Sequence, residues 1–367
     1  MAPLAATLAA SVTLGVGLVL ARAERERRRK RERTLDRRLA LRPLEPLGEG
    51  LRRMALAQTD LAIELLQTGD SHAPDEAAVH ETRKAIKRLR ALLRLLRHEL
   101  GERTYAREND TLREVAAHLS GARDAAVMLG TLDALMQREP RKLARRGGVL
   151  ALRQRLLAEH ARQQSLTFGD DGTRAQVLGE LHAFRYRVAA WSLPAGEGIG
   201  LVDADLARIY THGRDRHRRA ERAKGERTLA MHMWRKRVKD LRYATEMLDR
   251  RNGDVSASKS SDPRLRKIAG RADGLGELLG EEHDLAVFTE RLRAGARGKR
   301  RTSSPQGKDP WRTGRRTRAA LLKAVAKRRR KLRGRALRDG ERLYGEKPKR
   351  FMRRVRSAYD AGARARP

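Results

Sequence analysis

Residues 80–90 read HETRKAIKRLR, and residues 232–242 read HMWRKRVKDLR. The two stretches share the pattern H-x-x-R-K-x-[IV]-K-x-L-R, in which His, Arg, Lys, Lys, Leu and Arg are identical, at a separation of 152 residues (80 to 232). Successive residues of an α-helix are about 100° apart, so the His, Arg and Lys positions share one face and the aliphatic positions share the other. The pattern therefore predicts two amphipathic helices whose polar faces are purely cationic.

A second pair of related stretches follows these helices. Residues 119–127 read LSGARDAAV, and residues 279–287 read LGEEHDLAV, at a separation of 160 residues (119 to 279). Because both motifs recur in the same order at nearly the same offset, they indicate a duplicated helical unit, with halves at about residues 42–195 and 200–345. From Leu39 onward apolar residues recur at helical spacing without convincing strand-type alternation, so the sequence predicts an all-α fold.

Glycine and proline clusters predict where the helices are interrupted. The expected breaks lie at residues 48–50, 69–74, 140–148, 169–172, 194–200, 251–263 and 294–310. After Gly345 the sequence GEKPKRFMRRVRSAYDAGARARP predicts a frayed basic tail over residues 346–367. Residues 315–338 hold twelve bases and no acid around an apolar stripe, which predicts a helix with outward cations that could extend an anion site or lie on anionic lipid. The stripe consists of Leu321, Val325, Leu332 and Ala336.

The composition limits the classes of function. The chain of 367 residues has 84 Lys plus Arg against 46 Asp plus Glu, a formal net charge of +38, and no cysteine. The lack of cysteine excludes a disulfide scaffold, a thiolate metal site and a cysteine nucleophile. A positive excess of this size repels itself unless an anionic partner neutralises it. The partner is therefore expected to be an anion, and composition alone does not identify which one.

The N-terminal region, residues 1–41, combines an apolar stretch with a basic one. Residues 2–21 carry no charge over about the length that crosses a bilayer core. Ten basic residues follow between Arg22 and Arg38. Since the positive charge follows the apolar stretch, the order argues against a cleaved secretory signal and places the rest of the chain on the cytoplasmic side. Two interpretations stay open: a membrane helix with a basic linker, or an early translation start whose weakly apolar extension does not insert.

The cations of the repeated motif are suited to phosphate. Like charges three or four residues apart on a helix repel each other by roughly a few tenths of a kcal/mol per pair. Since both copies keep this unfavourable arrangement, the pattern favours a bound anionic ligand. Arginine offers a planar fork to phosphate oxygens, and lysine adds a mobile point charge. The alternative interpretation is a basic helix that only faces water. The recurrence of the same pattern in two copies argues against this interpretation. The residues on the cationic faces are His80, Arg83, Lys84 and Lys87, and His232, Arg235, Lys236 and Lys239.

The repeated histidines and acids do not predict a metal or acid–base site. Neither His80 nor His232 lies at H-x-x-x-H or H-E-x-x-H spacing, and Glu81 has no acidic counterpart in the second copy. Each histidine is therefore expected to donate to phosphate. Asp124 and Asp284, each preceded by a residue that can carry positive charge, could suggest a metal pair. A repeated acid in a basic unit is more typical of an orienting partner for Arg or Lys.

With these motifs the sequence resembles the CHAD family, the conserved histidine α-helical domain, over roughly residues 42–345. The resemblance implies two tandem antiparallel four-helix bundles related by a pseudo-two-fold axis, whose basic faces meet in a central channel that binds inorganic polyphosphate. Glu246, which takes the place of Arg94, departs from the pattern and is expected to weaken the far end of the second face. By position, the implied phosphate contacts come from His80, Arg83, Lys84, Lys87, Arg90, His232, Arg235, Lys236, Lys239 and Arg242.

The resemblance implies a binding protein without a metal, a cofactor or an attached enzyme. The E-x-E-x-K element of the triphosphate-tunnel domain that some family members carry is absent from the sequence. We therefore expect cytoplasmic, non-catalytic polyphosphate binding and association with polyphosphate granules, with an anionic membrane surface as a further partner. The alternative is sequence-nonspecific nucleic-acid binding, which the sequence pI near 11.5 favours. The scarcity of aromatic residues for base stacking argues against it.

Overall fold

The computed structural model describes residues 40–42, 45–67, 76–119, 121–168, 171–196, 198–249, 263–297 and 310–364. Over these ranges the chain is helical and contains no β-strand, which confirms the all-α prediction. A short π-helical turn at Pro140–Ala144 lies between the fourth and fifth helices. The α-helices are α1 (Leu47–Gln67), α2 (Glu76–Leu95), α3 (Arg97–His118), α4 (Gly121–Arg138), α5 (Gly147–Phe168), α6 (Asp171–Ala189), α7 (Gly200–Arg222), α8 (Arg227–Met247), α9 (Pro263–Arg297), α10 (Arg315–Tyr344) and α11 (Pro348–Arg364).

The apolar residues form two hydrophobic clusters. The larger cluster combines α1, α2, α3, α6, α7, α8 and α11 with the first part of α9 and the end of α10. The smaller cluster combines α4, the π-helical turn, α5, the last part of α9 and most of α10. Both halves of the sequence contribute helices to each cluster, so the cores do not follow the division at residues 195–200. The two bundles with their pseudo-two-fold axis and the domain boundaries at 41 and 345 stay predictions.

The predicted apolar faces are buried. The aliphatic residues opposite the cations pack into the larger cluster, since burying such a side chain contributes about 1.5–3 kcal/mol relative to leaving it exposed. These residues are Val79, Ile86, Leu89 and Leu93 in α2, and Met231, Val238 and Leu241 in α8. The stripe predicted within residues 315–338 is likewise buried in the smaller cluster through Leu321, Val325 and Leu332. Helical periodicity therefore assigned the inner face of all three helices correctly.

Two local expectations are wrong. The break predicted at residues 48–50 is the first turn of α1. A Cβ atom on Gly48 would lie 2.5 Å from the carbonyl oxygen of Pro194, so the glycine permits a close approach of two segments instead of ending a helix. The tail expected to fray forms α11, because Phe351 and Val355 are fully buried. The Phe351 ring also stacks on Tyr210 with 3.8 Å between ring centroids.

Several other predictions fall on residues outside the described ranges. The apolar stretch at 2–21 is one of them, and so are residues 251–262 and 298–309 of the two predicted loops. Among the helices of the described ranges, no stretch is both long and apolar enough to cross a bilayer.

Candidate anion-binding site

Helices α2 and α8 pack against each other and bring the two copies of the motif together. Nη1 of Arg94 in α2 donates to Oδ1 of Asp240 in α8 over 3.2 Å. Nη1 of Arg237 lies 3.2 Å from the second carboxylate oxygen of Asp240. Asp240 is buried, so its attraction to both guanidinium groups is screened less than it would be in water. This ion pair joins the two helices that carry the repeated motif.

Cations from the two copies face one another beside this ion pair. Burial, followed by the charges of Arg235 and Lys87, lowers the pKa of Lys239 to about 7. Burial and the nearby charges of Arg237 and Arg90 lower the pKa of Lys236. Lys87 and Arg90 belong to the first copy, and Lys236 and Lys239 to the second. The repulsion among these side chains is therefore a property of the interface between α2 and α8, and a bound anion would relieve it.

In the first copy, Arg83 is committed to the backbone. Its Nη1 donates to the carbonyl oxygens of Ala116, at 3.1 Å, and Leu119, at 2.5 Å. These carbonyls lie at the C-terminus of α3, where the last carbonyl groups of a helix have no intrahelical donor. Helix α3 ends at His118 and α4 begins at Gly121, so the LSGARDAAV motif lies at a helix break. Arg83 therefore caps the end that this break creates.

Arg90 and Lys84 of the first copy have neutral or weak partners. Nε of Arg90 donates to the amide oxygen of Asn109 over 3.1 Å. Burial and the charge of Arg94 lower the pKa of Arg90. Nζ of Lys84 lies 3.6 Å from Glu81, a distance typical of a weak surface pair. His80 lies half-buried on the same helix. Arg90 and Lys84 thus keep most of their positive charge.

In the second copy, Arg235 faces a helix without a break, because α9 continues through the LGEEHDLAV motif. An ideal Cβ atom on Gly280 would lie 3.8 Å from Nε of Arg235. Within the described part of the chain, this Nε meets no hydrogen-bond acceptor. Burial lowers the pKa of Arg235, and Asp284 of α9 opposes that effect. Asp284 thus lies close enough to orient Arg235, whereas Asp124 in the first half is exposed.

Arg242 differs from its counterpart Arg90 because carboxylates hold it. Its Nε lies 2.7 Å from Glu246, and it also forms an ion pair with Asp273 of α9. Burial disfavours the charged form, but these two carboxylates outweigh it and raise the pKa of Arg242. The far end of the second face is therefore compensated, as the substitution of Glu246 for Arg94 predicted.

The histidine of the second copy has a partner that the sequence did not identify. Nδ1 of His232 lies 3.1 Å from Nδ1 of His283. One ring nitrogen must donate and the other must accept, so at least one ring is neutral. Burial and the positive neighbours lower both pKa values, that of His283 to about 4. The sequence feature that points to this partner is the second repeated motif, in which His283 occupies the position of Arg123.

A cavity of about 560 Å³ opens between α4, α8 and α9, and of the ten candidate residues three line it: Arg235, Lys239 and Arg242. Its other charged residues are Arg138 and four carboxylates, Asp273, Glu277, Glu281 and Asp284. Much of the remaining wall consists of small residues, Ala126, Gly130, Ala134, Gly276 and Gly280. Over the described ranges, no group of three or more His, Asp or Glu is arranged to hold a metal ion. The cavity therefore presents both cationic side chains and carboxylates to a ligand.

The chain resembles known proteins in fold and through a family model. No curated protein matches the sequence. The solved structure of PptA from Streptomyces chartreusis is similar in fold, with a TM-score of 0.51 and 18% identity over 82% of this chain and 100% of that chain. The CHAD domain from the plant Ricinus communis gives a TM-score of 0.47 and 20% identity over 90% and 95% of the two chains. The family model of the CHAD domain matches residues 57–293, more than half of the chain, and the chain therefore belongs to the CHAD domain family.

Proposed function

We propose that this protein binds inorganic polyphosphate, without transforming it, along a channel between the motif faces of α2 and α8. The observation that carries the proposal is the convergence of Lys87 with Lys239 and of Arg90 with Lys236. Two like-charged faces that pack together destabilise the free protein unless an anion neutralises them. Membership of the CHAD family is consistent with association with polyphosphate.

A chain of phosphates fits this site better than a single small anion does. Glu246 and Asp273 already occupy Arg242, so a ligand must compete with carboxylates that are fixed beside it. A monovalent anion has no advantage in that competition. A polyphosphate presents many phosphates at high effective concentration once one of them is bound. A long chain that is held at several cations can therefore compete with Glu246 and Asp273, whereas a single small anion cannot.

A nucleic acid fits the site less well. Single-strand binders stack bases on aromatic side chains, which contributes about 1–3 kcal/mol per base. The residues that line the cavity between α4, α8 and α9 include no aromatic side chain. Polyphosphate has no base to stack, so the lack of aromatic side chains does not lower its affinity for such a cavity. Binding of this kind would bring the protein to polyphosphate granules in the cell.

A competition experiment tests this function. Protein is held on labelled long-chain polyphosphate and challenged with unlabelled polyphosphate, duplex DNA, RNA and ATP at equal phosphate concentration. We expect only unlabelled polyphosphate to displace the label at parity. Displacement by DNA at parity would instead show a general polyanion or nucleic-acid binder.

A pair of double variants assigns the binding to the motif helices. Lys87→Gln with Lys236→Gln removes two exposed lysines of the channel, and Lys347→Gln with Lys349→Gln removes two exposed lysines elsewhere. Both variants lose the same net charge. We expect the channel variant to weaken binding at least tenfold more than the control variant. Equal losses in the two would show that net charge alone causes binding.

A further inference from the structure

A second cavity, of about 620 Å³, lies between α10 and the π-helical turn at Pro140–Ala144. We call it the α10 groove. It shares no lining residue with the cavity beside α8. Its floor is apolar, formed by Leu143, Ala319, Ala320 and Ala324, and its charged residues are Glu139, Lys142, Arg146, Arg316, Lys323 and Lys327.

The balance of charge distinguishes the two cavities. The cavity beside α8 has four cationic side chains and four carboxylates. The α10 groove has five cationic side chains and one carboxylate. The groove therefore keeps a net positive charge that attracts anions. None of the recurring sequence motifs lies in it.

The single carboxylate of the groove is already paired. Nζ of Lys327 lies 2.9 Å from Glu139, and Nζ of Lys142 lies 3.6 Å from it. The other three cations that line the groove are Arg146, Arg316 and Lys323. Nε of Arg146 donates to the carbonyl oxygen of Lys142 over 2.7 Å, and none of these three cations forms an ion pair with a carboxylate over the described ranges.

The surface around the groove continues the positive charge. The π-helical turn and the residue after it expose Arg141 and Arg145, and α10 exposes Arg315, Arg330 and Lys331. A linear anion that follows α10 would therefore meet cations before, within and beyond the groove. Phosphate suits this arrangement, because arginine forks and lysine ammonium groups both bind phosphate oxygens.

We propose that the α10 groove is a second binding site for a phosphate chain, so that one protein molecule holds two segments of polyphosphate and bridges separate chains. This inference rests on the proposed function, which supplies the first segment in the channel between α2 and α8. Two sites on one molecule link long chains into a network, whereas a chain too short to bind two protein molecules cannot extend such a network. The protein would thus condense polyphosphate in addition to binding it.

A matched pair of quadruple variants tests the bridging. The groove variant carries Lys142→Gln, Arg146→Gln, Arg316→Gln and Lys323→Gln, and it keeps the Lys327–Glu139 pair. The control variant carries Lys347→Gln, Lys349→Gln, Arg350→Gln and Arg353→Gln. Each set removes two lysines and two arginines, and all eight side chains are exposed, so both variants are expected to fold. Static light scattering of each protein, mixed with long-chain polyphosphate at low salt, reports the size of the assemblies.

The expected result is that the groove variant loses at least tenfold of the scattering intensity, while its affinity for one dilute chain stays within about threefold of the control. Equal scattering from the two variants would overturn the proposal, and an equal loss in both would assign the assemblies to net charge. Anionic phosphatidylserine vesicles form a separate arm. If the groove variant loses vesicle binding but still condenses polyphosphate, the groove is a lipid surface and the proposal is wrong. A failure of the proposed function can be distinguished from a failure of this inference. If the channel between α2 and α8 does not bind polyphosphate, the Lys87→Gln and Lys236→Gln double variant keeps an unchanged affinity.

Discussion

Helices α2 and α8 carry the same motif, yet their first arginines have different partners. Arg83 donates to backbone carbonyls at the end of α3. Arg235 lies against the uninterrupted α9, where the backbone carbonyls are already used, and its Nε has no acceptor among the described residues. The difference arises in the partner helix, which is broken in the first half and continuous in the second. An identical residue in a repeat can therefore stabilise the fold in one copy and remain available to a ligand in the other.

The last arginines of the two motifs differ in the opposite sense. Arg90 donates to the neutral amide of Asn109, whereas Arg242 is neutralised by Glu246 and Asp273. Among these four arginines, Arg90 in the first copy and Arg235 in the second are thus the two that no close carboxylate or backbone carbonyl holds. Because α2 and α8 pack together, the proposed site would use complementary parts of two similar helices.

The largest contrast is expected from Arg235→Gln and Arg83→Gln. A hydrogen bond to a charged group contributes about 1.5–3 kcal/mol, so Arg235→Gln should weaken polyphosphate binding by roughly tenfold to a hundredfold. The same change should leave stability unchanged or slightly increased, because it removes repulsion. Arg83→Gln should instead lower the free energy of unfolding by about 1–3 kcal/mol, since two carbonyls lose their donor.

Calorimetric titration and urea unfolding measure the two effects separately. If Arg83→Gln weakened binding as much as Arg235→Gln without a loss of stability, the division of roles between the copies would be wrong.

A second effect is expected from pH. In the proposed site Lys239 would bind phosphate in its ammonium form, but its pKa in the free protein is about 7, well below the ordinary lysine value of 10.5. Above pH 7 the lysine must take up a proton to bind, so affinity should fall as pH rises from 7 to 9. The fall is limited to about tenfold per pH unit.

Two conservative variants assign this pH dependence. Lys239→Arg fixes the positive charge and should flatten the profile between pH 7 and 9, while Lys87→Arg should retain it. The pair His232 and His283 does not contribute in this interval, because both pKa values are lowered and both rings stay neutral. A slope that persists in Lys239→Arg would show that another group titrates.

The smallest effect is expected from Glu246→Gln, which frees Arg242 from one of its two carboxylates. Partly exposed ion pairs contribute about 0.2–1 kcal/mol, so polyphosphate affinity should rise by about 1.4-fold to fivefold. Glu221→Gln, at an exposed position of α7, makes the same change in charge away from the site. An equal gain in both variants would show that Arg242 is not held back by Glu246.

The sequence predicted the faces of the helices well and the contacts between them poorly. Periodicity assigned the buried sides of α2, α8 and α10, because burial of a helix depends on spacing that can be read directly. Gly48 lies within a helix although its glycine cluster predicts a break, because its close approach to Pro194 depends on a distant segment. The capping role of Arg83 and the pairing of His232 with His283 depend on where the partner helices lie. Motif spacing within one helix contains no information about these contacts.

The central claim is that the two copies form one shared site, and the most direct measurement is calorimetric titration of Lys87→Gln and Lys239→Gln with long-chain polyphosphate. Both substitutions are made in the background of the α10-groove variant, so that the groove adds no binding. One shared site predicts that each substitution lowers the affinity while the number of phosphates bound per protein stays constant. Half the stoichiometry with unchanged affinity would contradict the account, because it would show two independent sites.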